Sequence, residues 1–124
     1  MLEVENATIE YTKLGVNHTD HGILSFLIGV DYDGSGQGYG QIVLDTYDEV
    51  KGERTPTKLA SSLLLAIDRI WGKDWEELIG TPCRSYHDFS HIESIGHFTK
   101  DRWLWFDKSK FEFVVARLNE IKED

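Results

Sequence analysis

Hydrophobic and polar positions alternate over much of the first half of the chain. Residues 4–16 alternate around Val4, Ala7, Ile9, Tyr11 and Leu14, with Thr8 and Thr12 between them, which predicts a strand with one polar face. The polar connector 17–22 has turn composition. Residues 23–32 predict a second strand, placing Leu24, Phe26, Ile28 and Val30 on one face. A glycine-rich stretch, Asp33–Gly40, predicts a loop, and a third strand follows from about Tyr39 to Tyr47. Three strands on short connections predict an antiparallel meander.

Beyond the polar segment 48–54 the period changes. Leu59, Leu63, Ala66, Ile67, Ile70 and Trp71 recur at helical spacing, with Thr55 as the expected N-cap, Pro56 at the first helical position and Gly72 as the stop. Trp75–Leu78 predicts a helical turn, and Thr81–Phe89 and Ile92–Thr99 predict shorter strands. Ser109–Glu112 fits a capping box. Phe111, Val114, Val115, Leu118 and Ile121 then predict a second helix of about three turns at the end of the chain. The expected fold is α+β: a single small domain, residues 1–124, with an antiparallel meander packed against two helices.

Composition narrows the classes of function. Hydrophobic residues make up 40% of the chain, with four Trp, five Tyr and six Phe, which is enough for a real core. The net charge of −9 argues against a nonspecific DNA binder, because neutralising phosphates takes an excess of Lys and Arg. It leaves room for a small phosphate ligand held by a local arginine cluster. The single cysteine, Cys83, excludes an intrachain disulfide. The acidic start, Met1–Glu5, does not resemble a signal peptide, and no apolar run is long enough to span a membrane, so an intracellular protein is expected.

Four of the eleven glycines fall within 34–40. Gly34, Ser35, Gly36 and Gln37 read equally as a hairpin connection or as a backbone cradle for an anion. A strand, not a helix, follows, so neither a dinucleotide fingerprint nor a P-loop is present. Two groups, His18/Asp20/His21 and His87/Asp88/His91, have metal-ligating chemistry but no established ligand spacing. Cys83 in an apolar strand start and Ser35 between glycines lack the setting of a nucleophile. No catalytic residue, metal or cofactor is expected. Arg54, Arg84 and Arg102 flank the ends of predicted elements, where a guanidinium fork can meet phosphate, and exposed aromatics such as Tyr39, Phe89 or Trp105 can stack on a base.

An ordered series of segments carries a resemblance: Glu5–Ile9, Thr12–Gly15, Asp20–Leu24, Gly34–Gly40, Ile95–His97 and Asp101–Trp103. The chain resembles small phage and prophage proteins, and among these the first-described Thoeris anti-defence sponges. His97 stands where that family more often carries Asn, and the charged run Asp48–Arg54 is a further departure. The resemblance implies a non-enzymatic immune-evasion protein of the host bacterial cytoplasm. Such a protein sequesters a cyclic ADP-ribose isomer or related cyclic nucleotide, and some members also hold cyclic oligonucleotides. It also implies a homo-oligomer, dimer or hexamer, with ligand at subunit boundaries. On that reading Arg54 and Arg102 pair with phosphates, Phe89 stacks on the base, and His97 bonds to base or ribose. Two alternatives stay open: an acidic inhibitor that binds a host defence protein directly as a nucleic-acid mimic, and a metal-dependent hydrolase built on the two His/Asp groups.

Overall fold

The computed structural model describes residues 1–122, and these form the expected α+β domain. Nine strands are present: β1 (Glu3–Asn17), β2 (Ile23–Asp31), β3 (Gly36–Val43), β4 (Asp45–Asp48), β5 (Glu53–Pro56), β6 (Pro82–His87), β7 (Ile92–His97), β8 (Trp103–Asp107) and β9 (Glu112–Ala116). Helix α1 spans Leu59–Trp71, a 3-10 turn covers Trp75–Glu77, and α2 covers Leu118–Lys122. Seven strands make one antiparallel sheet in the order β3-β2-β1-β6-β7-β8-β9, and β4 and β5 form a separate ribbon. The sheet is two meanders joined through β1, whose residues 8–17 pair with β2 and residues 3–8 with β6.

Side chains alternate across the strands, so two cores form. Ile9, Phe26, Ile28, Tyr39, Cys83, Ile95, Leu104 and Phe113 face α1, which buries Leu59, Leu63, Ala66, Ile67 and Ile70. Each buried Leu or Ile contributes about 1.5–3 kcal/mol, which is what docks the helix. On the other face Tyr86, Trp103 and Ala116 pack with Ile121 of α2.

Three local expectations are corrected. Thr55 and Pro56 do not begin the helix but end β5, opposite Thr46 and Asp45. Pairing takes them because Arg54 closes that ribbon by forking onto Asp45, and Pro56 sits at its last position, where a missing N–H costs least. Thr57 prepares the helix instead: its hydroxyl accepts from the Leu59 amide (3.2 Å) and donates to the Leu44 carbonyl (2.6 Å). Second, of the residues expected as a C-terminal helix, those up to Phe111 lie in the turn after β8 and Glu112–Ala116 form β9, so that among the described residues only Leu118–Lys122 of that stretch is helical. Asp107, not a capping box, shapes the turn by accepting from the Ser109 and Lys110 amides. The β-branched pair Val114–Val115 fits a strand, and the Phe113 amide on β9 donates to Ser62 Oγ of α1 (2.9 Å). Third, the glycine-rich loop shrinks to a tight hairpin turn. Asp33 (φ 68°) and Gly34 (φ 116°) take positive φ and the Tyr32 amide reaches the Ser35 carbonyl (2.7 Å), while Gly36–Val43 is already β3. The third strand therefore ends at Val43, not Tyr47.

Gly96 is where the sheet has no room for a side chain. A Cβ there would lie 2.4 Å from the ring of Trp103, which is fully buried and pairs with Gly96 across β7–β8. Gly96→Ala is expected to destabilise the fold by about 3 kcal/mol, read as a lower urea midpoint, because the indole has nowhere to go. Gly15→Ala, which meets nothing within 4 Å, is the control and should be near neutral.

Candidate functional site

The face of the sheet that carries the main core turns polar at one end. Along β6, Cys83, Ser85 and His87 share a face; Cys83 is in the core, while Ser85 and His87 continue past its apolar limit, still buried. Glu5 lies opposite Ser85 and Glu3 opposite His87 on β1. The Tyr32 ring stacks on the His87 imidazole with centroids 4.6 Å apart. The Tyr32 hydroxyl donates to Gln37 Oε1 (2.7 Å), and so it accepts from Ser85 Oγ (2.8 Å). Burial pushes the Tyr32 phenol up, which keeps that proton in place. Gln37 Nε2 donates to the Asp88 carbonyl (2.8 Å), which also meets His87 Nδ1 (3.1 Å), while His87 Nε2 faces Glu5 Oε1 (2.9 Å). This network ties the β2–β3 hairpin to the β6–β7 loop.

That loop is itself fixed. The Asp88 carboxylate accepts from the Ser90 amide (2.9 Å), the Ser90 hydroxyl (2.6 Å) and the His91 amide (3.0 Å), which together hold its carboxyl far below the usual carboxylate range. His91 Nε2 meets Glu93 (3.0 Å). Phe89, between these anchors, is 99% exposed. Beside the loop an open cleft of about 850 Å³ runs between β3 and the β7–β8 strands, lined among others by Tyr39, Gln41, His91, Glu93, Trp105 and Lys108.

The far end of β7 is basic. His97 Nδ1 accepts from the Thr99 amide (3.1 Å) and the Lys100 amide (3.0 Å), so it carries a lone pair, not a proton. Desolvation, then the nearby Lys100, Arg102 and Arg84 charges, hold the His97 pKa down. Arg84 donates to the His97 carbonyl (2.9 Å) and the Lys100 carbonyl (2.9 Å) and lies over Trp103, 5.0 Å from the ring centroid. Arg102 is exposed, with Nη1 donating to the Arg69 carbonyl (3.3 Å).

The residues singled out in the sequence thus occupy three places. Gly34, Ser35, Gly36 and Gln37 share one end of the sheet with Phe89, the link being Gln37 to Asp88. His97 and Arg102 sit together at the other end of β7, roughly 20 Å along the strand. Arg54 is apart from both, its guanidinium bidentate on the nearly buried Asp45 (2.9 and 2.8 Å), so its fork is taken up in closing the β4–β5 ribbon. The two His/Asp groups do not converge: His18, Asp20 and His21 follow the end of β1, whereas His87 pairs with its start, about 45 Å along that strand. The Cys83 thiol, pushed up to about 12 by burial, is protonated at neutral pH and is no nucleophile. The Glu5–His87–Tyr32–Ser85 network was missed in sequence, where the only sign was Ser85 and His87 at alternate positions of an otherwise apolar strand face. Comparison of the chain with protein-family models, with curated proteins and with solved structures finds no match.

Two expectations follow from this geometry. Arg54→Ala leaves the Asp45 carboxylate without its counter-charge and should lower the urea midpoint, with Arg54→Ala/Asp45→Asn recovering much of the loss. His97 is held neutral in the fold, so the unfolded chain binds that proton more readily. Its contribution is complete above the ordinary value of 6.5 and is lost as pH falls through the lower folded value. His97→Asn, whose Oδ1 accepts the same two amides without titrating, should lose less stability than wild type between neutral and mildly acidic pH in parallel thermal melts.

Proposed function

We propose that this protein is a non-catalytic binder of a cyclic ADP-ribose-type immune second messenger, which it sequesters stoichiometrically in a bacterial host. What supports the reading best is the basic corner at the β7–β8 turn, where Arg84, Lys100 and Arg102 surround His97 in a chain of net charge −9. A local positive potential on an acidic protein suits a small anion better than a polyanion, since long nucleic acid would meet the acidic remainder. Arg84 is tied to two carbonyls and steadies the corner, while Arg102, exposed, is the arginine placed to take a phosphate.

A base-stacking ring is the other requirement, and Phe89 offers one, fully exposed on a loop that does not need it for folding. Phe89 and Arg102 lie at opposite ends of β7, so one ligand meets both only between two copies of the chain. The bound state in this reading is a homo-oligomer with the ligand at the subunit boundary, Phe89 from one protomer and Arg102 from the next. Cleavage is not part of the function, since binding alone removes the signal.

The test is ligand depletion and release. Protein is incubated with cyclic ADP-ribose isomers, free ligand is assayed, and the protein is then heat-denatured and the supernatant assayed again. Intact ligand recovered after heating is the expected result; cleaved ligand would point to an enzyme, and no depletion of any isomer would defeat the reading. Arg102→Ala and Phe89→Ala should each weaken retention by about 10–100-fold, from the loss of a charge-assisted bond and of stacking respectively. Unchanged retention in both, with loss in Trp105→Ala, would move the ligand into the β3–β7–β8 cleft.

A further inference from the structure

The contact between His87 and Glu5 constrains where a proton can sit. His87 Nδ1 lies 3.1 Å from the Asp88 carbonyl, an acceptor only, so the bond requires a proton on Nδ1. Nε2 then faces Glu5 Oε1 at 2.9 Å. A nitrogen lone pair and a carboxylate oxygen at that distance repel unless a cation lies between them, either a proton or a metal ion.

The surroundings favour the metal. Glu3 stands directly opposite His87 in the β1–β6 register, and one ligand atom from each of Glu3, Glu5 and His87 lies within 4.8 Å of the others. A proton bridge uses one carboxylate and leaves the second as an uncompensated like charge beside the first. A divalent ion uses both, with bonds of about 2.0–2.2 Å that place ligand atoms about 3.3 Å apart, a small adjustment for two glutamates on the solvent side. The imidazole needs no adjustment. His87 is 7% exposed, Tyr32 stacks on its ring, and Nδ1 is bonded to a main-chain carbonyl, the outer bond that sets tautomer and orientation in metal-ligating histidines. Glu3 and the half-exposed Glu5 leave the far side open to water and to ion entry.

We infer that Glu3, Glu5 and His87 form a binding site for a divalent transition metal of the Zn²⁺ or Mn²⁺ type. One imidazole with two carboxylates suits these ions, whereas Mg²⁺, which prefers oxygen and retains its water, gains little from the nitrogen. The site is separate from the basic corner and does not depend on the second-messenger reading. At the sheet end it would clamp β1 to β6 and fix the ring under Tyr32.

The test uses the full chain without an affinity tag, titrated with ZnCl₂ by calorimetry and with MnCl₂ by loss of the free-ion electron paramagnetic resonance signal. One ion per chain is expected, with a raised melting midpoint in its presence and no competition from equimolar Mg²⁺. Glu3→Gln and Glu5→Gln should each weaken binding by about tenfold or more. Glu3→Gln should melt at the wild-type midpoint without metal, because Glu3 is exposed; this separates ligand loss from unfolding. Absence of saturable binding by both ions would assign the His87–Glu5 contact to a proton and overturn the inference. So would wild-type affinity in either glutamine variant, which would place the ion elsewhere, for instance on His91 and Glu93.

Discussion

The two meanders have one strand in common, and the rest of the structure hangs on how β1 divides its hydrogen bonds. Its fifteen residues pair with β2 along one stretch and with β6 along another, overlapping at Thr8. The register slips between Ile9 and Tyr11, and the Ile9 amide and carbonyl turn to the loop before β6, bonding the Thr81 carbonyl and Gly80 amide (2.9 and 2.7 Å). A bulge of this kind bends and twists the strand, and the sheet curls with it. Curling lets α1 fill one part of the concavity and brings the start of β3 across to the β6–β7 loop at the other, where Gln37 bonds Asp88. The polar end of the sheet is a product of that curvature.

Buried polar groups at that end constrain one another closely. Tyr32, Gln37 and Ser85 have each found partners, and in a low-dielectric setting a missing member would leave its neighbours at the cost of a lost bond or more. Among the described residues the one buried side-chain polar atom without a partner is Trp71 Nε1, at the end of α1 and away from this network. The network therefore holds the β2–β3 hairpin and the β6–β7 loop in a fixed relation. That in turn fixes where Phe89 projects.

Sequence patterns revealed the parts whose periodicity was set locally. β1, β2 and the body of α1 were legible because alternation and the 3.6-residue period ran for many residues, and Gly72, at φ 64° with its amide on the Asp68 carbonyl, is the stop its type foretells. The second helix misled because Phe111, Val114, Val115 and Leu118 satisfy a helical spacing while Phe113–Ala116 is also a short continuous apolar run, which a strand covered on both faces accommodates equally well. Over so short a run the decision passes to tertiary contacts, here pairing with β8 and the bond to Ser62. Thr55–Pro56 failed for a similar reason, since a helix-start signature gave way to cross-strand pairing anchored by the Arg54–Asp45 salt bridge. Of the candidate residues, Phe89 and Arg102 are exposed as expected, whereas Tyr39, expected with Phe89 as an exposed ring, is buried in the core edge-on to Phe26. Arg54 looked equally free, because its partner Asp45 belongs to a hairpin no periodicity announced. The juxtaposition of Glu5 with His87 was beyond sequence reach: it is a non-local register between the first strand and the sixth.

Charge raises the remaining question, how a chain of net −9 would attract the anionic ligand we propose for it. At physiological ionic strength charges are screened over about 8 Å, so the net value governs approach from afar and local groups govern contact. After desolvation, the charges that hold the His97 pKa down are those of Lys100, Arg102 and Arg84, and they outnumber the one carboxylate of the same turn, Asp101, which is taken up by Trp103 Nε1 and the Leu118 amide. Their potential also protects His97 from protonation, keeping Nδ1 available to the Thr99 and Lys100 amides that shape the turn. The same cations that keep His97 neutral would, in the proposed reading, meet the anion, and Arg84 also ties the turn together. Loss of Arg84, which ties the His97 and Lys100 carbonyls together, would weaken both roles at once, whereas loss of Arg102 removes charge from the surface and leaves those two ties in place. An anion site of the proposed kind would not need an overall basic protein; it would need a rigid turn, and the buried Trp103 against Gly96 and under Arg84 supplies the rigidity.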